Sequence, residues 1–237
     1  MITTFKQCEH DLLGSPREIV QLAQKESARI LVVSDSHGQH ALLKNILEHM
    51  GASCDAFVFC GDGIGDVVSC FDCAYDDSVF AQCVPPVAAF VKGNGDADRF
   101  PAVFNPSKNE KAHKRAAYYE LAVPRSQLLT AAHRTIFIAH GHEFGAYCGT
   151  DALAEAAKKA GACVVLYGHT HIAAETQAGV YLANPGSITY PRAGTPPSFA
   201  ILELGQNFIN AIFYKIEMQL RGVRFTPFAP KKTSLWH

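Results

Sequence analysis

Short, unbroken apolar runs punctuate the chain: ILVV at 30–33, AFVFC at 56–60, VAAFVK at 87–92, IFIA at 136–139 and VVLY at 164–167. Continuous rather than alternating apolar runs of this length suit strands buried on both faces. Between them the spacing becomes helical: Leu42, Leu43, Ile46, Leu47 and Met50 recur along one face of 39–50. Ser15-Pro16-Arg17-Glu18 reads as a helix start, with Ser at the cap, Pro in the first turn and Glu reaching back, and predicts a helix to about residue 27. A strand is expected over 118–123 and an Ala-rich helix over 151–160. Residues 66–84 read as partly helical and 101–115 as a loop, while 172–183, 198–204 and 207–217 alternate like antiparallel strands. Strand–helix alternation followed by a strand-rich half predicts an α/β fold with a two-sheet core flanked by helices. Residues 1–28 are expected to be an N-terminal extension, 29–217 the domain and 218–237 a mildly basic C-terminal tail.

The polar residues gain meaning from where the apolar runs stop. ILVV runs into Ser34-Asp35-Ser36-His37-Gly38 and AFVFC into Gly61-Asp62-Gly63. VAAFVK runs into Gly93-Asn94-Gly95-Asp96, IFIA into His140-Gly141-His142, and VVLY into Gly168-His169-Thr170-His171. Open α/β sheets bind ligands beyond the carboxyl ends of their strands. Each turn alone is common, but their ordered recurrence at strand ends places carboxylates, an amide and several imidazoles in one crevice. That donor set matches divalent metals of intermediate softness, such as Mn, Fe, Zn or Ni. An all-oxygen Mg or Ca site would not need so many histidines.

Composition narrows the classes. The chain has 237 residues, 48% of them apolar and 18% charged, enough for a packed core and against disorder. The formal net charge of −1 gives no basic field, which argues against nucleic acid as a partner. No apolar run is long enough to span a bilayer, and the first residues do not read as a signal peptide. The eight cysteines are therefore expected to be reduced and the protein cytoplasmic, with no membrane partner. The CxxC of Cys70 and Cys73 has no second copy, so a zinc ribbon is disfavoured.

Over roughly residues 29–217 the blocks resemble the calcineurin-like metallophosphoesterases, with D-x-H, GD, GN, a strand-end His and GH-x-H in that order. They are most similar to the compact bacterial and archaeal phosphodiesterase branch, through GNGD (93–96), AHGH (139–142), GHTH (168–171) and the later Asn184-Pro185-Gly186-Ser187. The resemblance implies a four-layer αββα sandwich and a dinuclear metal-dependent phosphoesterase. It would hydrolyse a small phosphate ester, preferentially a diester, by attack of metal-bound hydroxide. Two divalent ions are implied, manganese first, then iron, zinc, nickel or magnesium. Asp35, His37 and His171 would ligate the first metal, Asn94, His140 and His169 the second, and Asp62 would bridge them. His142 and Asp96 are carried over as catalytic candidates acting beside the metals, and Arg99, which closely follows GNGD, is a candidate contact for substrate phosphate.

One departure matters. Many members of the superfamily carry a His after the Asn to help the leaving group depart; here the residue is Gly95. This favours substrates with good leaving groups or direct assistance from the metals. A basic cluster at Lys108, Lys111, Lys114 and Arg115, beside His113, reads as a solvated loop. Two other readings stay open. One is a protein-interaction scaffold, since a retromer subunit shares this fold with an altered metal site; completeness of the ligand set argues for an enzyme. The other is a nuclease. A homo-oligomer is also left open.

Overall fold

The computed structural model describes residues 6–103, 119–220 and 222–232. The basic cluster at 108–115 and Trp236 lie outside the described residues. In chain order the elements are α1 (Pro16–Gln24), β1 (Ser27–Val33), α2 (His40–Met50), β2 (Ala56–Phe59), α3 (Ile64–Asp76), β3 (Val87–Phe90), β4 (Arg99–Ala102) and β5 (Tyr119–Ala122). There follow β6 (Ser126–Ala131), β7 (Arg134–Ala139), α4 (Asp151–Lys159), β8 (Val164–Leu166), β9 (Ala173–Gln177) and β10 (Tyr181–Pro185). The last are β11 (Ser198–Gly205), β12 (Ile209–Gln219), β13 (Gly222–Phe228) and β14 (Lys231–Lys232).

Two six-stranded mixed sheets form, ordered β13-β12-β11-β1-β2-β3 and β14-β9-β10-β8-β7-β6, with β4 and β5 in a separate hairpin. β1, β2 and β3 run parallel, as do β7, β8 and β10, so each group delivers its carboxyl ends to one rim. Alternation along the strands divides the core into layers. Ile30, Val32, Val58 and Ala89 of the first sheet meet Leu129, Ile136, Ile138 and Leu166 of the second. The opposite face of the first sheet, with Leu31, Phe57, Phe59 and Phe90, is covered by α2 and α3 through Leu43, Ile46, Val67 and Phe71. The outer face of the second, with Phe137, Val165 and Leu182, is covered by α4 through Leu153, Ala154 and Ala157. This is the expected helix–sheet–sheet–helix sandwich.

Helix α1 starts as the sequence predicts. Ser15 Oγ accepts from the Glu18 N–H at 3.2 Å, and Glu18 Oε2 accepts from the Ser15 N–H at 3.1 Å, the two bonds of a capping box. Ser15→Ala is expected to lower unfolding free energy by about 1 kcal/mol, read as a lower denaturant midpoint with unchanged slope.

The residues before β1 belong to the core. Leu12, Leu13 and Leu22 are buried, and Leu13 exchanges both backbone bonds with Ala88 at 2.9 and 2.8 Å. The outer edge of β3 therefore does not face water. Its next inward N–H, from Phe90, is taken at 2.8 Å by the buried side-chain oxygen of Gln127 on β6, whose amide nitrogen donates to His10 O at 2.8 Å. One glutamine thus joins the open edges of both sheets to the amino-terminal segment.

Three strands depart from the sequence reading. β6 falls in a stretch the apolar pattern leaves unassigned, and its side chains alternate in and out, with Gln127, Leu129 and Ala131 inward. β4 runs two residues into the stretch expected as a loop; its Pro101 is tolerated in a two-stranded hairpin, where it removes few ladder bonds. β13 lies in the expected tail, lengthening the first sheet and packing Val223 and Phe225 against the core.

Candidate metal centre

The turns after the parallel strands carry an unusual backbone. Asp35 (φ 54°), His37 (φ 46°), Asp62 (φ 58°), His169 (φ 67°) and His171 (φ 59°) are all left-handed. That region costs an L-residue roughly 1–2 kcal/mol, and each of these residues is a candidate ligand. The strain is sustained by bonds that fasten the turns together. Asp35 N–H donates to Gly61 O at 2.9 Å, His37 N–H to Asp62 O at 3.1 Å, and Gly168 N–H to His140 O at 3.0 Å.

The side chains converge. His171 Nε2 lies 3.1 Å from Asp35 Oδ1 and 3.2 Å from His37 Nε2, and His37 Nε2 lies 3.9 Å from Asp35 Oδ1. His140 Nε2 lies 3.3 Å from Asp62 Oδ2 and 3.9 Å from Asp35 Oδ1. Two triads result, Asp35–His37–His171 and Asp35–Asp62–His140, each with its ligand atoms within 4.8 Å of one another. The His169 ring stands 5.1 Å from that of His140, inclined to it at 65°. Asn94 sits on the exposed turn after β3, between Gly93 and Gly95.

Hydrogen bonds away from the cluster fix which nitrogen each imidazole presents. His140 Nδ1 contacts Cys60 O at 2.6 Å and His171 Nδ1 contacts Tyr190 O at 2.7 Å. A carbonyl only accepts, so each Nδ1 carries the hydrogen, and in the neutral ring the Nε2 lone pair is left for the cluster. Asp35 is oriented likewise: its Oδ2 accepts from Ser34 Oγ at 2.6 Å and from the His169 N–H at 3.1 Å, while its Oδ1 turns toward the histidines.

The residues fit a divalent cation. With the imidazoles neutral, Asp35 Oδ1 and His140 Nε2 are buried without a hydrogen-bond partner, although charged groups stand close by. A buried polar atom left unpaired costs on the order of 1–3 kcal/mol. Carboxylate oxygens and imidazole nitrogens aimed at one small volume lose that cost when they bind a metal.

Without metal, protons do part of this work. Burial alone would raise the Asp62 carboxyl, but the hydrogen bond and charge of His140, the Gly95 N–H and the charge of His37 outweigh it and bring the group to about 2. Burial alone would lower His140 and His171; bonds and charges from Asp62 and Asp35 for the former, and from Asp35 for the latter, hold both above their ordinary value. Burial, and then the charge of His140, depress His142 and His169. A depressed carboxyl contributes stability above its unfolded value, lost as pH falls through the folded one. A raised histidine contributes stability below its unfolded value, lost as pH rises through the folded one. Metal-free protein is therefore expected to lose stability from about pH 4 down to pH 2, through Asp62, and again above about pH 6.5, through His140 and His171. Calorimetry in chelator across this range checks it, with Asp62→Asn flattening the acid limb.

Asp96 has a positional part. Its Oδ2 accepts from the N–H groups of Asp62 (2.7 Å) and Gly93 (3.0 Å), and its Oδ1 from those of Gly63 and Ile64 (3.0 Å each). Four backbone donors occupy the carboxylate, which clamps the Asp62 turn to the Asn94 turn. His142 keeps a buried Nδ1 with no partner, and its ring lies 5.4 Å from that of His140. Arg99, read from sequence as a phosphate contact, pairs instead with Glu120 at 2.7 Å on the exposed β4–β5 hairpin.

Sequence reasoning passed over several supports. Asp66 Oδ2 accepts from Ser36 Oγ at 2.6 Å and from the Gly38 N–H at 2.9 Å, holding the first turn to α3. Ser187 Oγ donates to Asp35 O at 2.8 Å. Asn184 Nδ2 donates to Gly168 O at 2.8 Å and to Thr170 Oγ1 at 3.0 Å. The motif at 184–187 thus clamps the turns bearing Asp35 and His169. Its presence in the sequence was a signal, but its partners were not readable.

Residues 29–207 match the family model of the calcineurin-like phosphoesterase superfamily domain. The chain belongs to this superfamily. It is 32% identical over 186 residues to a probable metallophosphoesterase, YsnB, of Bacillus subtilis, covering 78% of this chain and 89% of that one. It is 30% identical over 133 residues to the phosphodiesterase YfcE of Escherichia coli K12, covering 48% of this chain and 68% of that one. A predicted phosphoesterase from Streptococcus pneumoniae TIGR4 shares the fold, with a TM-score of 0.56 at 21% identity over 86% of this chain and 99% of that one. The chain is thus a phosphoesterase of the metal-dependent kind. Among the described residues, no helix is long and apolar enough to cross a membrane.

Proposed function

We propose that the chain is a dinuclear phosphodiesterase acting on a small phosphate ester. The observation that carries this reading is the pair of buried atoms left unpartnered in the neutral cluster, Asp35 Oδ1, shared by both triads, and His140 Nε2, in the second. Asp35, His37 and His171 would hold one ion. Asn94, His140 and His169 would hold the other, with Asp62 between them. Manganese suits this mixed oxygen and nitrogen set; iron, zinc, nickel and magnesium are the alternatives. When bound, such a pair lowers the pKa of coordinated water and neutralises phosphoryl charge.

The chain's own residues supply orientation. Cys60 O and Tyr190 O keep the Nε2 atoms of His140 and His171 turned inward, and Asp96 holds Asp62 against the Asn94 turn. His142, whose ring lies 5.4 Å from that of His140, would donate to a phosphoryl oxygen or to the departing group. Gly95 offers no side chain for that task, only an N–H at 2.7 Å from Asp62 Oδ1. Esters with good leaving groups are therefore favoured. The cysteines are all free thiols, which supports a reducing compartment such as the cytoplasm.

Metal-stripped protein tests the reading, with Mn, Ni, Zn or Mg added back against bis(p-nitrophenyl) phosphate and p-nitrophenyl phosphate. Hydrolysis restored by metal, faster for the diester and abolished by His169→Ala, is the expected result. Folded protein that hydrolyses neither ester with any metal would point to the scaffold reading.

A further inference from the structure

The loop after Ser187 brings an unexplained cation to the site. The Arg192 N–H donates to His171 O at 3.0 Å, so its backbone adjoins the Gly168–His171 turn. Its side chain reaches to Tyr147, where Nη1 donates to the phenol oxygen and the guanidinium lies 5.7 Å from the ring centroid. Tyr147 in turn donates to His169 O at 3.1 Å, and its ring stands 4.8 Å from the His169 ring. The exposed guanidinium thus spans from one candidate ligand to the other. Among the described residues, no carboxylate pairs with it.

The loop is fastened at both sides. Thr195 Oγ1 donates to Arg192 O at 2.8 Å, and Lys231 Nζ, beyond the matched family region, donates to Ala193 O at 2.6 Å. Tyr190, on the same loop, exposes its ring at 58% beside His37, with centroids 5.5 Å apart. Tyr147 is 52% exposed on the His169 side. Large aromatic surfaces open to water on both flanks of a ligand cluster suit a flat organic group, because a stacked ring gains from the π-face whatever its substituents.

We infer that Arg192 binds the phosphoryl oxygens of the substrate and that Tyr190 stacks against the base of the alcohol retained on phosphorus, so that the preferred substrates are nucleoside phosphodiesters. The inference rests on the proposed phosphodiesterase activity and deepens it. An Arg over a Tyr ring presents its planar fork already ordered, which a Lys cannot reproduce.

Two esters with one leaving group test it: thymidine 5′-(p-nitrophenyl) phosphate and methyl p-nitrophenyl phosphate, with metal-restored protein. Wild-type kcat/KM is expected to favour the nucleoside ester about tenfold. Arg192→Ala should raise KM for both esters about tenfold, with kcat changed less, bound metal unchanged and added guanidinium restoring KM; Arg192→Lys should stay impaired. Tyr190→Ala should erase the preference for the nucleoside ester. A KM within twofold of wild type in Arg192→Ala, or equal kcat/KM for the two esters in wild type, overturns the inference alone. Wild type that hydrolyses neither ester overturns the function it rests on, and the inference with it.

Discussion

Asp35→Asn is expected to lower metal-restored hydrolysis about 10³-fold while leaving the metal-free fold at least as stable as the parent. The carboxylate is fully buried, and while His171 is neutral its Oδ1 has no donor. An amide oxygen keeps the bonds from Ser34 Oγ and the His169 N–H. The amide nitrogen then takes the place of Oδ1, 3.1 Å from His171 Nε2, whose lone pair is free because Nδ1 donates to Tyr190 O. A carboxylate facing the lone pair of the neutral imidazole becomes a neutral hydrogen bond, and a candidate ligand common to both triads is lost. Activity assays with calorimetry in chelator check both halves. Retained activity would remove Asp35 from the chemistry, and a collapsed melting temperature would make its role structural.

Gly93→Ala is expected to cost about 3 kcal/mol of stability and most of the activity. A methyl group there would fall 2.1 Å from Asp62 Oδ1 and 2.3 Å from Asp62 N, contacts that no real side chain sustains. The obstacle is backbone as well as carboxylate, and Asp62 N is already held by Asp96 at 2.7 Å, so the turn has nowhere to retreat. The denaturant midpoint and metal affinity of the variant check this. Gly95→Ala is the control: its methyl would stand 3.2 Å from Asp62 Oδ1, a contact a small shift relieves.

Much of this was legible in the chain because two periodicities coincide. The unbroken apolar runs are strands covered on both faces, and each stops where the sandwich rim begins, so glycine, carboxylate and imidazole crowd into the turns. The Asp and His residues that converge in the two triads could be read from that alone. β6 could not: Gln127 points inward to serve backbone groups of β3 and the amino-terminal segment, and Leu128 points out, which inverts the usual pattern. β13 was hidden because Arg224 and Pro227 interrupt a strand whose inward residues are Val223 and Phe225. The supports at Asp66, Asn184 and Ser187 depend on contacts over 14 to 152 residues of sequence, which no local pattern records. Arg99 and Arg192 show the same limit from the other side. Proximity to a motif in sequence suggested Arg99, yet the guanidinium brought to the ligand turns is that of Arg192.

The most direct test of the two-metal account is anomalous diffraction at the manganese edge from crystals of the manganese-loaded protein. The account predicts two peaks per chain, one within bonding distance of Asp35, His37 and His171, the other of Asn94, His140 and His169, with Asp62 between them. A single peak, or peaks away from these side chains, would contradict it.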